Sequence, residues 1–532
     1  MAHPEPIPDS GHRLASKLGA GAVLSLVIVS AVAFVVLLVL EGDRPGLDEA
    51  DPGRRSEAVY SWDGGALALV NVTEEWGLDG WINGSDREAS GGAVIADFNR
   101  DGAFDVVVAG GEGLLFLARS GGGFVPVDPG VGDTVAVEAG DLDLDGWVDV
   151  VFGRTGGEDM IVWGGNWING DGLPELMEIP GGEPTSGLVI ARLAGEGLPA
   201  LLRLDYNGPD RLLLQGPVRS FHQAPPLPNS DRRSLAASVA DVNGDGELDI
   251  WITRDVGWQE GGDSLLLGEQ AGGFRDATEG IGAGLEIDGM GVTLADLNGD
   301  GTIDAYLSDL GDNEVLLGSA TGFGPATDTG AARIRPPGSS SEMISSSWAS
   351  GAADLNLDGV LDLVVANGGF AGPVANKVLG TRVQGSDPPA LFLGLGDGRF
   401  ADVWESTGLD WEGAGQGLAL GDLDGDLDTD IVIVTRDHGL VVLRNDVTGP
   451  ALAVRAAPGC LSTGGVVRVT GEGQSFAALL GGPTFLGRHA AEAIVGAGRP
   501  VEVAVAFPHQ GTVSATGAGV GRELLTLDCG EG

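Results

Sequence analysis

Residues 241–253 read DVNGDGELDIWIT. Oxygen-bearing side chains stand at positions 1, 3, 5 and 9 of this stretch (Asp241, Asn243, Asp245 and Asp249), and a glycine stands at position 6. An apolar, β-branched and aromatic run follows at once. Short acidic turns with glycine, running directly into such a segment, predict a tight loop between two strands.

The same pattern recurs on both sides. DFNRDGAFDVVVAG starts at Asp97, DLDLDGWVDVVFG at Asp141, DLNGDGTIDAYLS at Asp296, DLNLDGVLDLVVA at Asp354 and DLDGDLDTDIVIV at Asp422. A worn copy, IARLAGEGLPALLRL, places Arg192, Ala194, Glu196, Gly197 and Ala200 at the motif positions. Motifs therefore start at 97, 141, 192, 241, 296, 354 and 422, and spacings of 44 to 68 residues suit repeated units of four strands. Around each motif a small, glycine-bearing strand leads in (GGAVIAD, LAASVAD, GLALGD), and strands such as SLLLGEQAGGF and FADVWESTGL follow. The expectation is an all-β fold, a seven-bladed β-propeller, because a ring of blades leaves only short protected edges. LALVNVTEEWGL, from Leu67, looks like a last strand yet precedes the first motif. It is expected to complete the final blade.

The motif also predicts chemistry. Calcium takes six to eight hard oxygens, and loop positions 1, 3, 5 and 9 can converge while glycine permits the turn. The expected ligands are Asp97, Asn99, Asp101 and Asp105; Asp141, Asp143, Asp145 and Asp149; Asp241, Asn243, Asp245 and Asp249; Asp296, Asn298, Asp300 and Asp304; Asp354, Asn356, Asp358 and Asp362; and Asp422, Asp424, Asp426 and Asp430. That is up to six Ca²⁺. An EF-hand would need Glu at position 12, where this chain has Val108, Phe152, Ile252, Leu307, Val365 and Ile433. One such loop alone could be a solvated acidic turn; six with identical spacing would repel themselves without a cation. The Asp422 loop has Leu427 in place of the glycine, and the worn loop at Arg192 is expected to bind nothing.

These repeats resemble the FG-GAP/VCBS repeats of integrin α-like propellers over residues 65–446. The stretches ALAVRAAPG, GGVVRVTGEGQSFAALLGG, RPVEVAVAFPHQG and RELLTLD resemble the ASPIC/UnbV module of the cartilage acidic protein family and its bacterial relatives. They depart from it at STGG and at Phe507-Pro508. The resemblance implies calcium binding and extracellular recognition. Read from its residues, the region 447–532 is a small β-sandwich-like module. It holds both cysteines, Cys460 and Cys529, which would pair outside the cytoplasm; two buried thiols are the alternative.

Residues 18–40 carry no charge and are long enough to span a hydrocarbon core of ~30 Å. Arg13 and Lys17 precede this run, and Glu41, Asp43 and Arg44 follow it. The expectation is an uncleaved transmembrane signal anchor at 18–40, with 1–17 cytoplasmic, 41–64 an acidic linker and the bulk periplasmic or extracellular. A net charge of −48, with 77 acidic against 29 basic residues, argues against nucleic acid as a partner. The expected partner is a protein or glycan, in an adhesion, recognition or scaffold role. An extracytoplasmic enzyme acting on polysaccharide or glycan, with its site in the propeller funnel, is the alternative. Trp147, Trp163, Trp167, Trp251 and Trp258 could form a sugar platform, though packing in core or rim is the plainer reading.

Overall fold

The computed structural model describes residues 60–529 apart from 63–66, 80–90, 120–121, 183, 196, 258–260, 271, 333–342, 370–381, 384–385, 437, 458–459 and 472–473. The tail, the proposed membrane span and most of the acidic linker lie outside the described residues, as does Trp258. Among the described residues no helix is long and apolar enough to cross a membrane.

The fold is all-β and propeller-like. Each motif joins the first strand of a four-stranded antiparallel sheet to its second. The first sheet holds Ala93–Ala96, Asp105–Val108, Leu114–Ala118 and Phe124–Val127. The following sheets start with Thr134–Gly140, Thr185–Ala191, Ser234–Ala240, Gly291–Ala295, Ser347–Ala353 and Gly415–Gly421. These first strands pack side by side in chain order, and Gly415–Gly421 returns to lie beside Ala93–Ala96. The strand Leu69–Asn71 pairs antiparallel with Gly439–Asn445, so the last sheet is finished by residues that precede the first motif. Leu69 faces Asn445 across that pairing.

Neighbouring sheets are latched where second strands turn into third strands. Asp159 accepts from Arg203 of the next sheet at 2.5 Å and from Thr185 Oγ1 at 2.7 Å. Asp210 accepts from Arg254 at 2.9 Å and from Ser234 Oγ at 2.7 Å. All four charged groups are fully or almost fully buried, so removing either partner of a pair would strand a charge in the core.

The C-terminal residues form two further layers. One sheet holds Glu492–Gly496, Ala451–Ala456 and Arg522–Leu527, with the last two strands parallel. The other runs Gln474–Leu480, Gly465–Gly471, Val501–Phe507, Gly511–Gly517. VEVAVAF alternates with period two, and Val501, Val503, Val505 and Phe507 are its buried set. They meet Leu452, Val454 and Val495 from the opposite layer. Cys460 and Cys529 form a disulfide that joins the ends of this unit.

This unit is not a separate bead. Ala478 pairs with Ala295 of the fifth sheet, and Asp296 N–H donates to Ala477 O at 3.0 Å. Residues 481–490 then run inward among the first strands of six sheets. Phe485 and Leu486 share one apolar cluster with Ala136, Leu188, Ile190, Ala236, Ala349 and Leu418. Val137 N–H donates to Leu486 O and Ala490 N–H to Leu420 O. Arg488, 6% exposed, bonds Ala139 O at 2.6 Å, Gly481 O at 2.9 Å, Ser462 Oγ at 3.1 Å and Glu138 Oε1 at 3.2 Å. The glycine-rich lead-in strands make room for this segment: a Cβ on Gly92 would lie 1.8 Å from Leu486 O. His489 accepts from Leu420 N–H through Nδ1 and donates through Nε2 to Ser350 O, an arrangement that suits the neutral ring.

Phe485 is 3% exposed and touches strands from across the ring. Phe485→Ala is expected to cost about 3–5 kcal/mol in chemical denaturation, as for other buried aromatics. A loss under about 1 kcal/mol would mean that the segment fills the axis without holding it.

Candidate metal-binding loops

The six acidic loops share one hydrogen-bond plan. The position-1 carboxylate accepts the N–H of position 6, as Asp97 does from Gly102 at 3.0 Å and Asp141 from Gly146 at 2.8 Å. The position-3 oxygen accepts the N–H of position 5, as Asn99 does from Asp101 at 2.8 Å and Asp143 from Asp145 at 3.2 Å. The position-5 carboxylate accepts the N–H of position 7, as Asp101 does from Ala103 and Asp145 from Trp147, each at 2.9 Å.

The position-9 aspartate does something different. One oxygen accepts from position 2 and the other from the start or end of a neighbouring strand. Asp105 takes Phe98 N–H and Ala118 N–H; Asp149 takes Leu142 and Gly164. Asp249 takes Val242 and Gly268, and Asp304 takes Leu297 and Gly318. Asp362 takes Leu355 and Gly394, and Asp430 takes Leu423 and Asn445. All six are buried at the root of the loop.

The turn needs two left-handed residues. Position 6 has φ between 66° and 92° in every loop, which explains the glycine; Leu427 takes φ 66° without one. Position 4 is also left-handed, at Arg100, Leu144, Gly244, Gly299, Leu357 and Gly425. Three of these six are not glycine, so the pattern hid the requirement. The position-12 residues are all buried in second strands, in keeping with hairpins rather than helix–loop–helix units.

Carboxylate oxygens from Asp141, Asp143 and Asp149 lie within 4.8 Å of one another, and so do those from Asp422, Asp424 and Asp430. These are the two loops with Asp rather than Asn at position 3. Either cluster could hold a metal ion. Asp145 and Asp426 stand outside these groups; one oxygen of each accepts from the backbone of the turn, and each side chain faces an arginine. In the other four loops the position-3 amide donates to the position-5 carboxylate, for example Asn99 to Asp101 at 3.1 Å. Asp141 Oδ1 is buried with no hydrogen-bond partner, a state that a cation would relieve. The third acidic group, around Asp528, includes the two disulfide sulfurs and offers no thiolate.

Burial is the main force on these carboxyls. It pushes Asp105, Asp149, Asp249 and Asp304 up to about 7, against the pull of their backbone N–H donors and with help from neighbouring carboxylates. Asp362 and Asp430 go well above the ordinary range for the same reason. Asp141 and Asp422 rise to about 6, and Asp354 to about 7. A divalent cation at these clusters would offset the charge that burial leaves uncompensated.

The worn loop keeps the left-handed position 4 but not the left-handed position 6. Gly195 holds φ 80° at position 4, and Arg192 donates to Gly197 O at 2.8 Å across the turn. Ala200 occupies position 9 and is fully buried.

Several charged partners had no local signature in the sequence. Arg219 donates to Asp143 at 2.7 Å and to Glu175 at 2.8 Å. Arg522 reaches Asp426 Oδ1 at 3.1 Å and Asp428 at 3.2 Å. Glu492 accepts the N–H of Asp422 at 2.7 Å and pairs with Arg455. Gly496 N–H donates to Asp354 Oδ2 at 2.8 Å. Each comes from a different unit or from the C-terminal layers. Trp163 and Trp251 are buried in the core, and Trp147 lies under the Arg100 guanidinium at 4.6 Å.

Residues 241–307, which include the loops at Asp241 and Asp296, match the family model described as FG-GAP-like repeat. No curated protein matches the chain by sequence. Among solved structures, BBS1N in complex with ARL6DN, soaked with lead, is similar at 12% identity over 66% of this chain and 90% of that one, with a TM-score of 0.40. An Agrocybe aegerita lectin that recognises non-reducing terminal N-acetylglucosamine is 18% identical over 68% and 90%, with a TM-score of 0.35. The extracellular domain of the two component system BT3049 from B. thetaiotaomicron is 11% identical over 73% and 43%, with a TM-score of 0.39.

The raised carboxyls give a pH test with a definite sign. Unfolded, these groups titrate near 4; folded and empty, those at position 9 titrate near 7 or above. Folded, these groups bind the extra protons, so their contribution to stability is full below about 4 and is lost as pH rises from there through about 7. His489, pushed down to about 4 by burial, acts in the opposite sense as one group against many. The melting temperature in millimolar divalent cation minus that in chelator is therefore expected to widen from pH 5.5 to pH 8. A constant or shrinking difference would deny the cation its place among these carboxylates. Leu144 is half exposed with φ 60°, so Leu144→Gly is expected to raise stability by about 0.5–1 kcal/mol in thermal melts.

Proposed function

We propose that this chain is an extracytoplasmic calcium-binding β-propeller of seven blades, of the FG-GAP/VCBS kind, tethered to a membrane by residues 18–40 and acting in recognition or as a scaffold. The observation that carries the calcium reading is the unpartnered, buried Asp141 Oδ1 among the carboxylates of Asp143 and Asp149. The same loop plan at five other positions extends it to up to six sites. Where filled, the ligands would come from the 24 side chains at positions 1, 3, 5 and 9 named above, with position 9 also anchoring the loop. All-oxygen donor sets of this kind favour hard cations over zinc or copper. The seven-blade count rests on the succession of first strands that returns to its start and on Leu69–Asn71 completing the last sheet. The 447–532 layers would then be the ASPIC/UnbV-like module.

A binding role is favoured over catalysis by what occupies the axis. An enzyme acting on polysaccharide in the funnel would need that space, which Phe485 and Leu486 fill from the C-terminal side. Leu173 and Val218 are exposed at 89% and 95%, with Leu144 and Leu176 at 42% each. They lie on or next to residues joined through Arg219, which links the second and third sheets. An apolar group at a charged rim suits a protein partner better than solvent.

The first test is thermal unfolding of the purified protein in EDTA, in 1 mM calcium and in 1 mM magnesium. Extracellular calcium modules bind at roughly 10⁻⁴–10⁻³ M, so each filled site adds about 0.4–1.4 kcal/mol at that concentration. Several sites together are expected to give a rise in melting temperature with calcium that magnesium does not match. Equal melting points in all three buffers would remove calcium from this reading.

A further inference from the structure

The two four-carboxylate loops differ from the other four in a second respect: the acids of each are paired with arginine from another unit. At the Asp141 loop this is Arg219, from the hairpin between Arg211–Gly216 and Ser220–Gln223 of the third sheet. Its Nε donates to Asp143 at 2.7 Å, and an Nη stands 3.5 Å from Asp145. The other Nη donates to Glu175 at 2.8 Å, and the guanidinium lies 4.3 Å from the centre of the Trp163 ring. At the Asp422 loop, Arg455 and Arg522 play the equivalent part. Among the described residues, no arginine side chain pairs with a position-1, -3, -5 or -9 acid of the four loops that carry Asn at position 3. The extra carboxylate and the guanidinium thus occur together.

The turn that presents Arg219 is held in an unfavourable shape. Val218 and Arg219 have φ of 62° and 50°, left-handed conformations that neither residue prefers. Strain of this kind persists where its surroundings impose it, and it gathers at functional positions. Here the tight hairpin register, with Gly216 paired to Ser220, imposes it, and the turn so formed carries Arg219 to Asp143, Glu175 and Trp163.

We infer that Arg219 sets the affinity of the Asp141 loop for a divalent cation, acting as a resident positive charge that the ion must displace or share with. Asp143 cannot give the same oxygen fully to a cation and to Arg219. Binding therefore weakens the Arg219–Asp143 contact, and Glu175 is the acceptor already in place to keep the guanidinium. Arg219 is a positioning and tuning residue, not a ligand. The inference rests on the reading of this loop as a cation site, for which the buried unpartnered Asp141 Oδ1 is the independent sign.

The test is equilibrium calcium binding to the full chain, with tryptophan emission followed in parallel. Asp141→Asn identifies which binding step belongs to this loop, as the step that disappears. Removing one positive charge about 5 Å from a divalent ion, in a largely hydrated setting, changes affinity about tenfold. Arg219→Ala is expected to tighten the assigned step about tenfold and leave the others unchanged. Arg219→Lys, which keeps the charge without the fork, is expected to fall between. A merely structural arginine would give no change or weaker binding on removal, and either result in Arg219→Ala overturns the inference while calcium binding at the other steps leaves the wider reading intact. Absence of calcium binding to the unaltered chain would overturn both.

Discussion

A carboxylate with no access to water must be given hydrogen bonds or a cation, and this fold repeats that situation at the same place in unit after unit. The position-9 aspartate receives two backbone N–H groups, one from the loop it closes and one from beyond its own strand. It therefore ties three pieces of backbone to one buried point. Two donors do not offset the burial of this carboxyl, to which Asp141, Asp143 and their counterparts add, and the position-9 carboxyls rise to about 7 or above. The local geometry is satisfied without metal; the charge is not.

The C-terminal layers depend on the same loops. Their backbone and side chains meet the Asp354 loop through Gly496, the Asp422 loop through Glu492, Arg455 and Arg522, and the Asp296 loop through Ala477. Arg455 also approaches Gly102 O of the first loop. From this platform residues 481–490 descend to the axis, where contacts are apolar and close. Two kinds of force thus hold one assembly: charge and hydrogen bonding at the loop face, packing at the centre. Salt screens the first and leaves the second largely untouched.

Sequence reading reached the repeated unit because its signals are local. Asp and Asn at fixed spacing, glycine at position 6 and an apolar run afterwards are all contained within thirteen residues. The early strand Leu69–Asn71 was also legible, since a last-strand pattern stood where no unit had begun. What stayed hidden was non-local. Nothing around Arg219 marks it as the neighbour of Asp143, 76 residues away. Nothing in PTFLGRHA says that Phe485 and Leu486 enter the axis; as a sequence it reads as a turn between two strands of the module. The left-handed position 4 was masked for a different reason, because Arg100, Leu144 and Leu357 adopt there a backbone shape that their identity disfavours.

The loop at Asp141 stands apart within this arrangement. Among the described residues its outside partners are Arg100, which bonds Gly146 O from the first loop, and Arg219 from the third sheet. Neither belongs to the C-terminal layers, which engage loops of the sheets around it. The worn third unit, with Arg192 bonded across its own turn, leaves the adjacent rim without a competing acidic loop. In this sector the Asp141 loop, Arg219 and exposed Leu144 and Val218 are neighbours, and among the described residues no contact from the C-terminal layers reaches the loop's acids. The rest of the loop face is tied to the C-terminal layers by hydrogen bonds and ion pairs, whereas the Asp141 loop is tied to its neighbouring sheets.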